Sequence, residues 1–280
     1  MPWLWPCNLY QKVYLKPAQA REDFEQAFSL ICRCSKGTKI KEVSPSNLCF
    51  SPHHALPETR VLLSSLVPDS FFTTGTVVFD SVEMGLPADQ LYKDYIDKLR
   101  GKGRYLVEFI HMVSLVSNKA RASVEFFHLF RVLYRYAVIQ GATDLILCVV
   151  PKEAAFFEKV FLFRRLGPLR ACASCSQGGY TVLIHLNLEE VPRVYAQAFK
   201  RVSEDQNLYK FLLEDPLPLD LKVISTARLK KEDFVFFFLE KTNFWVTLSE
   251  EERAYFGYLY NLTKEWADFS VSSKHADLLI

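Results

Sequence analysis

Leu106-Val107-Glu108-Phe109-Ile110-His111-Met112-Val113 is the stretch on which the reading of this chain turns. It is apolar and branched enough for a strand, yet a single carboxylate stands inside it. Such an acid either pairs with a cation, here Arg100 or Arg104, or serves chemistry. An amine nucleophile arrives protonated in water, and a carboxylate held beside the strand can take that proton, which makes Glu108 the first candidate base. Outward from this strand, a basic loop at residues 117–122 leads into the clearest helix of the chain, residues 124–140. There Phe127, Phe130, Leu133, Tyr134 and Ala137 point inward, His128, Arg131 and Arg135 outward as a solvated face or, for the two arginines, a carrier-docking one, and Gly141 supplies a left-handed cap. Residues 144–150 then read as a buried strand stopped by Pro151, and residues 153–161 as a helix.

Working outward again, residues 9–15 read as an opening strand and 21–34 as a helix with Phe24, Ala27, Phe28 and Ile31 on one side. Residues 36–57 look like a loop or short helices on the surface. Residues 60–67 and 74–82 form an antiparallel pair across Pro68-Asp69-Ser70. Gly85-Leu86-Pro87 breaks the second of these, and Leu91, Tyr92, Tyr95, Ile96 and Leu99 mark a helix that ends near Gly101. Residues 180–188 alternate as a strand. The order β-α-β-β-α-β-α-β-α-β predicts an α/β fold with a mixed, layered sheet and flanking helices. From Glu189 the pattern turns helical, with a Pro-broken linker at 215–222 and a capping box at Ser249-x-x-Glu252. The expected division is a catalytic domain at 1–189 and a helical C-terminal extension at 190–280.

Composition narrows the function classes. Basic and acidic residues number 34 and 32, a net charge of +2, which argues against wholesale nucleic-acid binding. No run approaches the ~20 apolar residues that span a bilayer, so no transmembrane segment is expected. The start of the chain lacks a charged region followed by an apolar one, so export is not signalled. Seven cysteines at irregular spacing suit reduced thiols and a cytoplasmic location. Cys172-x-x-Cys175 with Cys32-x-Cys34 lacks the spacing of a zinc site, and the adjacent rings of His53 and His54 rarely aim at one ion, so no metal is expected.

The ordered set Gly85-Leu86-Pro87-x-x-x-Leu91-Tyr92, Asp97-x-Leu99-Arg100-x-x-Gly103-Arg104, Glu108 in its strand, Leu129-Phe130-x-x-x-Tyr134-x-Tyr136-Ala137, Gly141-x-x-Asp144, Val150-Pro151-Lys152, Phe156, Phe163 and Gly167-Pro168 resembles the long-chain N-acyl amino acid synthases. These are relatives of the acylhomoserine lactone synthases within the GNAT acyltransferase fold. The resemblance covers residues 10–188. It implies a GNAT-like mixed sheet and transfer of a fatty acyl group from a thioester, on acyl carrier protein, to the amino group of an amino acid. No permanently bound cofactor is implied; acyl-phosphopantetheine or acyl-coenzyme A is a co-substrate.

Within that frame Glu108 takes the amine proton, with His111 as a relay or simply a strand histidine. Backbone N–H groups near Met112 and Ser114 polarise the thioester carbonyl. The loop Ser117-Asn118-Lys119-Ala120-Arg121-Ala122 has no glycine with which to wrap a pyrophosphate, while Lys119 and Arg121 can hold one phosphate, which favours a carrier protein over free coenzyme A. Phe126, Phe127, Phe156 and Phe157 are candidates to line an acyl tunnel, against the plainer expectation that they are core. Where the family commonly has His and Tyr this chain has Glu153 and Phe157, and Phe157 cannot protonate a departing thiolate. A coenzyme A-dependent GNAT enzyme and a catalytically silent acyl- or carrier-binding protein are the alternatives.

Overall fold

The computed structural model describes residues 9–35, 47–172, 179–242 and 244–262. The strands are β1 (Tyr14–Pro17), β2 (Arg60–Ser65), β3 (Thr73–Phe79), β4 (Leu106–Ser114), β5 (Asp144–Val149), β6 (Arg164–Arg165), β7 (Arg170–Ala171) and β8 (Tyr180–Asn187). They form one sheet in the order β1-β2-β3-β4-β5-β8-β6, with β7 paired to another part of β8. Every pairing is antiparallel except β4 with β5. The helices are α1 (Arg21–Ser35), α2 (Asp89–Arg100), α3 (Lys119–Ile139), α4 (Pro151–Val160), α5 (Val191–Ala198), α6 (Leu221–Thr226), α7 (Lys231–Phe234), α8 (Phe244–Thr247) and α9 (Glu250–Leu259). A mixed sheet between helices is thus the observed architecture, as its alternating sequence pattern predicts.

Strand alternation divides the interior into two cores. Val77, Val107, Phe109, Leu145 and Ile184 face α3 and α4, whereas Val78, Leu106, Ile110, Ile146 and Leu183 face α1 and α2. Residues beyond 190 join both. Tyr195, Leu208, Phe211 and Ile224 complete the α3 side, and Phe234, Phe237, Phe238, Trp245 and Phe256 complete the α1 side. The chain passes from one side to the other past Arg60, which donates to the Ile224 and Ser225 carbonyls at 2.8 and 2.7 Å.

Three expectations change. The stripe of His128, Arg131 and Arg135 is not a solvated face: His128 and Arg131 are buried beneath residues 208–217 and Arg135 is half-buried. His128 Nε2 lies 2.8 Å from the Leu9 carbonyl, Arg131 donates to the carbonyls of Asp215 and Pro216, and Arg135 to those of Leu212 and Leu213. A polar helix face paired with backbone carbonyls can be buried as readily as an apolar one. The opening strand begins at Tyr14, not at residue 9. Finally, Cys172 is disulfide-bonded, so reduced thiols do not hold throughout and a thiolate zinc ligand is excluded at that residue. Cys175 lies outside the described residues, and Cys32, Cys34 and Cys148 are free thiols.

Candidate active site

The ladder between β4 and β5 is short. It pairs Leu106 with Asp144, Val107 with Leu145 and Glu108 with Ile146, then stops, although β4 runs on to Ser114 and β5 to Val149. The two strands therefore part at Glu108. Burial follows the parting: Leu106 to Phe109 and Asp144 to Leu147 are covered, while Ile110 to Val113 and Cys148 to Val149 become partly accessible. Divergence of parallel strands leaves main-chain groups of both without partners, and such a gap admits an extended substrate.

Two features shape β4 beyond the gap. Between the pairs Thr76 with Ile110 and Thr74 with Val113, two residues of β4 oppose Gly75 alone, which is a β-bulge. His111 lies at its centre with φ of 51°, in the left-handed region that non-glycine residues enter at a cost of order 1 kcal/mol. The bulge packs the Met112 side chain against the opposite strand so closely that a Cβ on Gly75 would fall 2.3 Å from Met112 Sδ. Leu115 N–H donates back to Phe72 O at 2.9 Å. By the alternation of an antiparallel ladder, Ser114 then turns its N–H toward the gap. Its hydroxyl is occupied, lying 2.8 Å from Thr73 Oγ1 and accepting from Val116 N–H.

Glu108 is 2% exposed and belongs to neither ion pair that the sequence offered. Arg100 binds Asp80, Asp89 and Asp97, and Arg104 binds Asp144 and Glu189. Instead Glu108 Oε2 accepts the Ala88 N–H at 2.8 Å. Burial, with a smaller contribution from the charge of Asp89, pushes the carboxyl up from 4.5 to about 8 against the pull of that amide.

The amide is delivered by the Gly85-Leu86-Pro87 turn. Gly85 adopts φ of +59°, and a Cβ there would stand 2.4 Å from Asp89 Oδ2. Asp89 in turn accepts Leu86 N–H at 2.7 Å and is gripped by both terminal nitrogens of Arg100. Ala88 caps α2, so its N–H is free of the helix and carries the positive end of the dipole toward Glu108. Tyr92, one turn on, donates to the Thr181 carbonyl at 2.6 Å and ties α2 to β8. Much of the motif set from Gly85 to Arg104 therefore serves as the frame around one carboxyl. Ala88 itself was not legible, because a backbone donor leaves no side-chain signature; Gly85-Leu86-Pro87 was the available signal.

On the same face stand three histidines. His54 and His111 stack with ring centroids 5.2 Å apart, and His53 is 6% exposed. His53 and His54 belong to a short 3-10 helix, Pro52–Ala55, as a segment of short helices would have it, but are buried rather than displayed on the surface. Burial lowers all three, His111 to about 4, and the neighbouring rings add to the effect at His54 and His111. Cys148, also on this face, is pushed up to about 11 by burial and lies within electrostatic reach of Glu108.

The other candidates lie apart. Lys119 and Arg121 are exposed on the first turn of α3, where Asn118 Oδ1 caps the Arg121 N–H at 3.1 Å. Phe126, Phe127, Phe156 and Phe157 pack together with Phe130 and Phe161 between α3 and α4, on the sheet face opposite Glu108, with Phe126 and Phe157 centroids 6.0 Å apart. Because α3 follows β4 and α4 follows β5, this cluster bridges the helices that continue the two parting strands. Asp144, 1% exposed, holds Arg104 and His185 and closes the sheet's end. Among the described residues no group of His, Cys, Asp and Glu could hold a metal ion, and no helix is long and apolar enough to cross a membrane.

The family model of the N-acyl amino acid synthase FeeM matches residues 26–187, more than half of the chain. The solved structure of FeeM, an N-acyl amino acid synthase from uncultured soil microbes, aligns with a TM-score of 0.57 at 18% identity, over 67% of this chain and 99% of that one. The AHL synthase LasI aligns at 0.48 and 12% identity, over 75% of this chain and 99% of its own. No curated protein matches the sequence.

Proposed function

The chain belongs to the N-acyl amino acid synthase family, acyltransferases of GNAT-like fold, and on that premise we propose that it moves a long-chain fatty acyl group from the thioester of an acyl carrier protein to the amino group of an amino acid. The single observation that carries the mechanism is a buried carboxyl, Glu108, where β4 parts from β5. The thioester enters the gap with its carbonyl toward the Ser114 amide, which the ladder turns that way. The acceptor, its ammonium proton given up to water, attacks the carbonyl carbon as the neutral amine, the C–N bond forms, and Glu108 accepts the second proton from that nitrogen. The C–S bond then breaks and the thiolate leaves with a proton.

Glu108 can supply that proton. A carboxyl near 8 is a stronger base than an ordinary glutamate, and once protonated it matches a thiol of pKa ~8.5 closely enough to hand the proton on at little cost. Phe157, where the family commonly has tyrosine, is then no obstacle, since one group acts first as base and then as acid. His111 is poorly suited to relay through an imidazolium, because its ring protonates only near 4. Lys119 and Arg121, exposed on the first turn of α3 after a segment without glycine, suit one phosphate and an acidic carrier better than a pyrophosphate.

The test is mass spectrometry of the protein incubated with acyl carrier protein or acyl-coenzyme A and a panel of amino acids. An N-acyl amino acid formed faster from the carrier supports the proposal. Product from coenzyme A alone overturns the donor, and a stable acyl complex without product overturns the reaction.

A further inference from the structure

Polar nitrogens stripped of water and left without a partner cost roughly 1–3 kcal/mol each, so their presence calls for a reason. His53 Nδ1, His53 Nε2 and His111 Nδ1 are in that state. The Met84 carbonyl passes near His53 but outside hydrogen-bonding geometry. His54 is different: it accepts the Ser51 N–H on Nδ1 at 3.0 Å, which leaves the proton on Nε2, 3.4 Å from Thr76 Oγ1. His54 is thereby fixed as the plate against which His111 stacks, at an interplanar angle of 11°. Behind it stands Phe28, edge-on at 5.1 Å. Two donors are therefore free, His53 and His111, and a third ring holds one of them in place.

We propose that His53 and His111 form the carboxylate-binding end of the acceptor site, holding the acceptor's carboxylate through their ring N–H groups while its amine meets Glu108. This rests on the reading of the chain as an N-acyltransferase acting on amino acids. Dimensions support it. Glu108 and His111 are three residues apart on β4, roughly 10 Å of strand, and the bulge turns His111 onto the face of Glu108. An α-amino acid separates amine nitrogen from carboxylate oxygen by ~3 Å, and a hydrogen bond of ~3 Å at each end brings the span to roughly 9 Å.

The charges around His53 leave room for an anion. Of the two carboxylates in reach of the ring, Asp89 is held by Arg100 and Glu252 accepts the Ser249 N–H at 2.7 Å. A metal does not explain the cluster, because His54 Nδ1 is taken and, among the described residues, no third ligand accompanies His53 and His111. The strained backbone of His111 also finds a purpose here, since regular pleating would turn its ring to the other side of the sheet.

The test compares an amino acid, its carboxamide and the corresponding amine without a carboxyl group as acceptors, in wild type and in His53→Phe. Phenylalanine fills the space of a ring that makes no hydrogen bond, so the fold is preserved. Wild type should favour the amino acid over the amide ~10- to 100-fold in kcat/KM, the value of one or two charge-assisted hydrogen bonds. In His53→Phe that ratio should fall toward one, through a raised KM for the amino acid. An unaltered ratio overturns the proposal.

A second measurement needs no turnover. The imidazole resonances of His53 and His111 are followed by NMR while N-lauroylglycine or N-lauroylglycinamide is added. Shifts with the acid alone support the site, and equal shifts or none overturn it. Carboxylate-dependent shifts in a protein that turns over no acceptor would sink the acyltransferase reading and leave the site standing. Turnover without discrimination would do the reverse.

Discussion

Glu108→Gln separates the chemistry of the buried carboxyl from its shape, and its effect on stability can be worked out beforehand. The amide oxygen can still accept the Ala88 N–H, while the ionisable proton is gone. In the wild type the folded-state pKa, about 8, stands above the unfolded value of 4.5. A raised acid contributes stability that is fully present below pH 4.5 and is lost as pH climbs through 8. At ~1.4 kcal/mol per pH unit over this window, the loss is roughly 5 kcal/mol. Urea midpoints should therefore fall between pH 5 and pH 8.5 in wild type and fall much less in Glu108→Gln, so that the variant is the more stable protein at pH 8.5. Acyl transfer should move oppositely: kcat/KM of wild type rises toward pH 8 with ionisation of the base. The variant loses ~10²- to 10⁴-fold and this inflection. Parallel stability curves would refute the burial reading, and unimpaired turnover would refute the role as base.

Gly85→Ala, with a Cβ 2.4 Å from Asp89 Oδ2 at φ of +59°, should displace the Ala88 amide and cut kcat by more than ten-fold while the near-ultraviolet circular dichroism is retained. Lys119→Ala with Arg121→Ala should raise KM for an acyl carrier protein, more at low salt than at high, since both side chains are exposed; a salt-independent KM counts against phosphate or carrier contact. Phe237→Ala removes a fully buried ring that meets Phe24, Phe28 and Phe50, and a denaturant titration should show a loss of about 3–5 kcal/mol.

The sheet was legible because period-two runs such as residues 180–188 and branched residues at 60–67 carry their own signal, and helices were legible wherever one face is apolar and the other polar. That second signal misled at α3. Its His128, Arg131 and Arg135 stripe looks solvated in isolation, and only the distant segment at 208–217 turns it into an interior surface. Local pattern cannot report a cover that arrives some eighty residues later.

At the site, Glu108 stood out because a lone acid in an apolar strand is a chemical anomaly. The bulge that turns His111 was hidden, since the residue that makes room for it, Gly75, lies on the neighbouring strand. The burial of His53 and His54 was equally hidden, because a stretch rich in proline and serine reads as exposed whatever comes to lie on it.

The attachments between the C-terminal segment and the sheet domain have a consequence for how freely that segment can vary. Arg60, Arg131 and Arg135 each reach carbonyl oxygens, those of Ile224, Ser225, Asp215, Pro216, Leu212 and Leu213, and Tyr260 reaches the carbonyl of Ala55. A carbonyl is common to all twenty amino acids, so these clasps dictate a route and are blind to spelling. At half-buried positions such as Leu213 the lettering is open to drift while the route is kept, whereas replacing a clasping arginine would release two carbonyls at once.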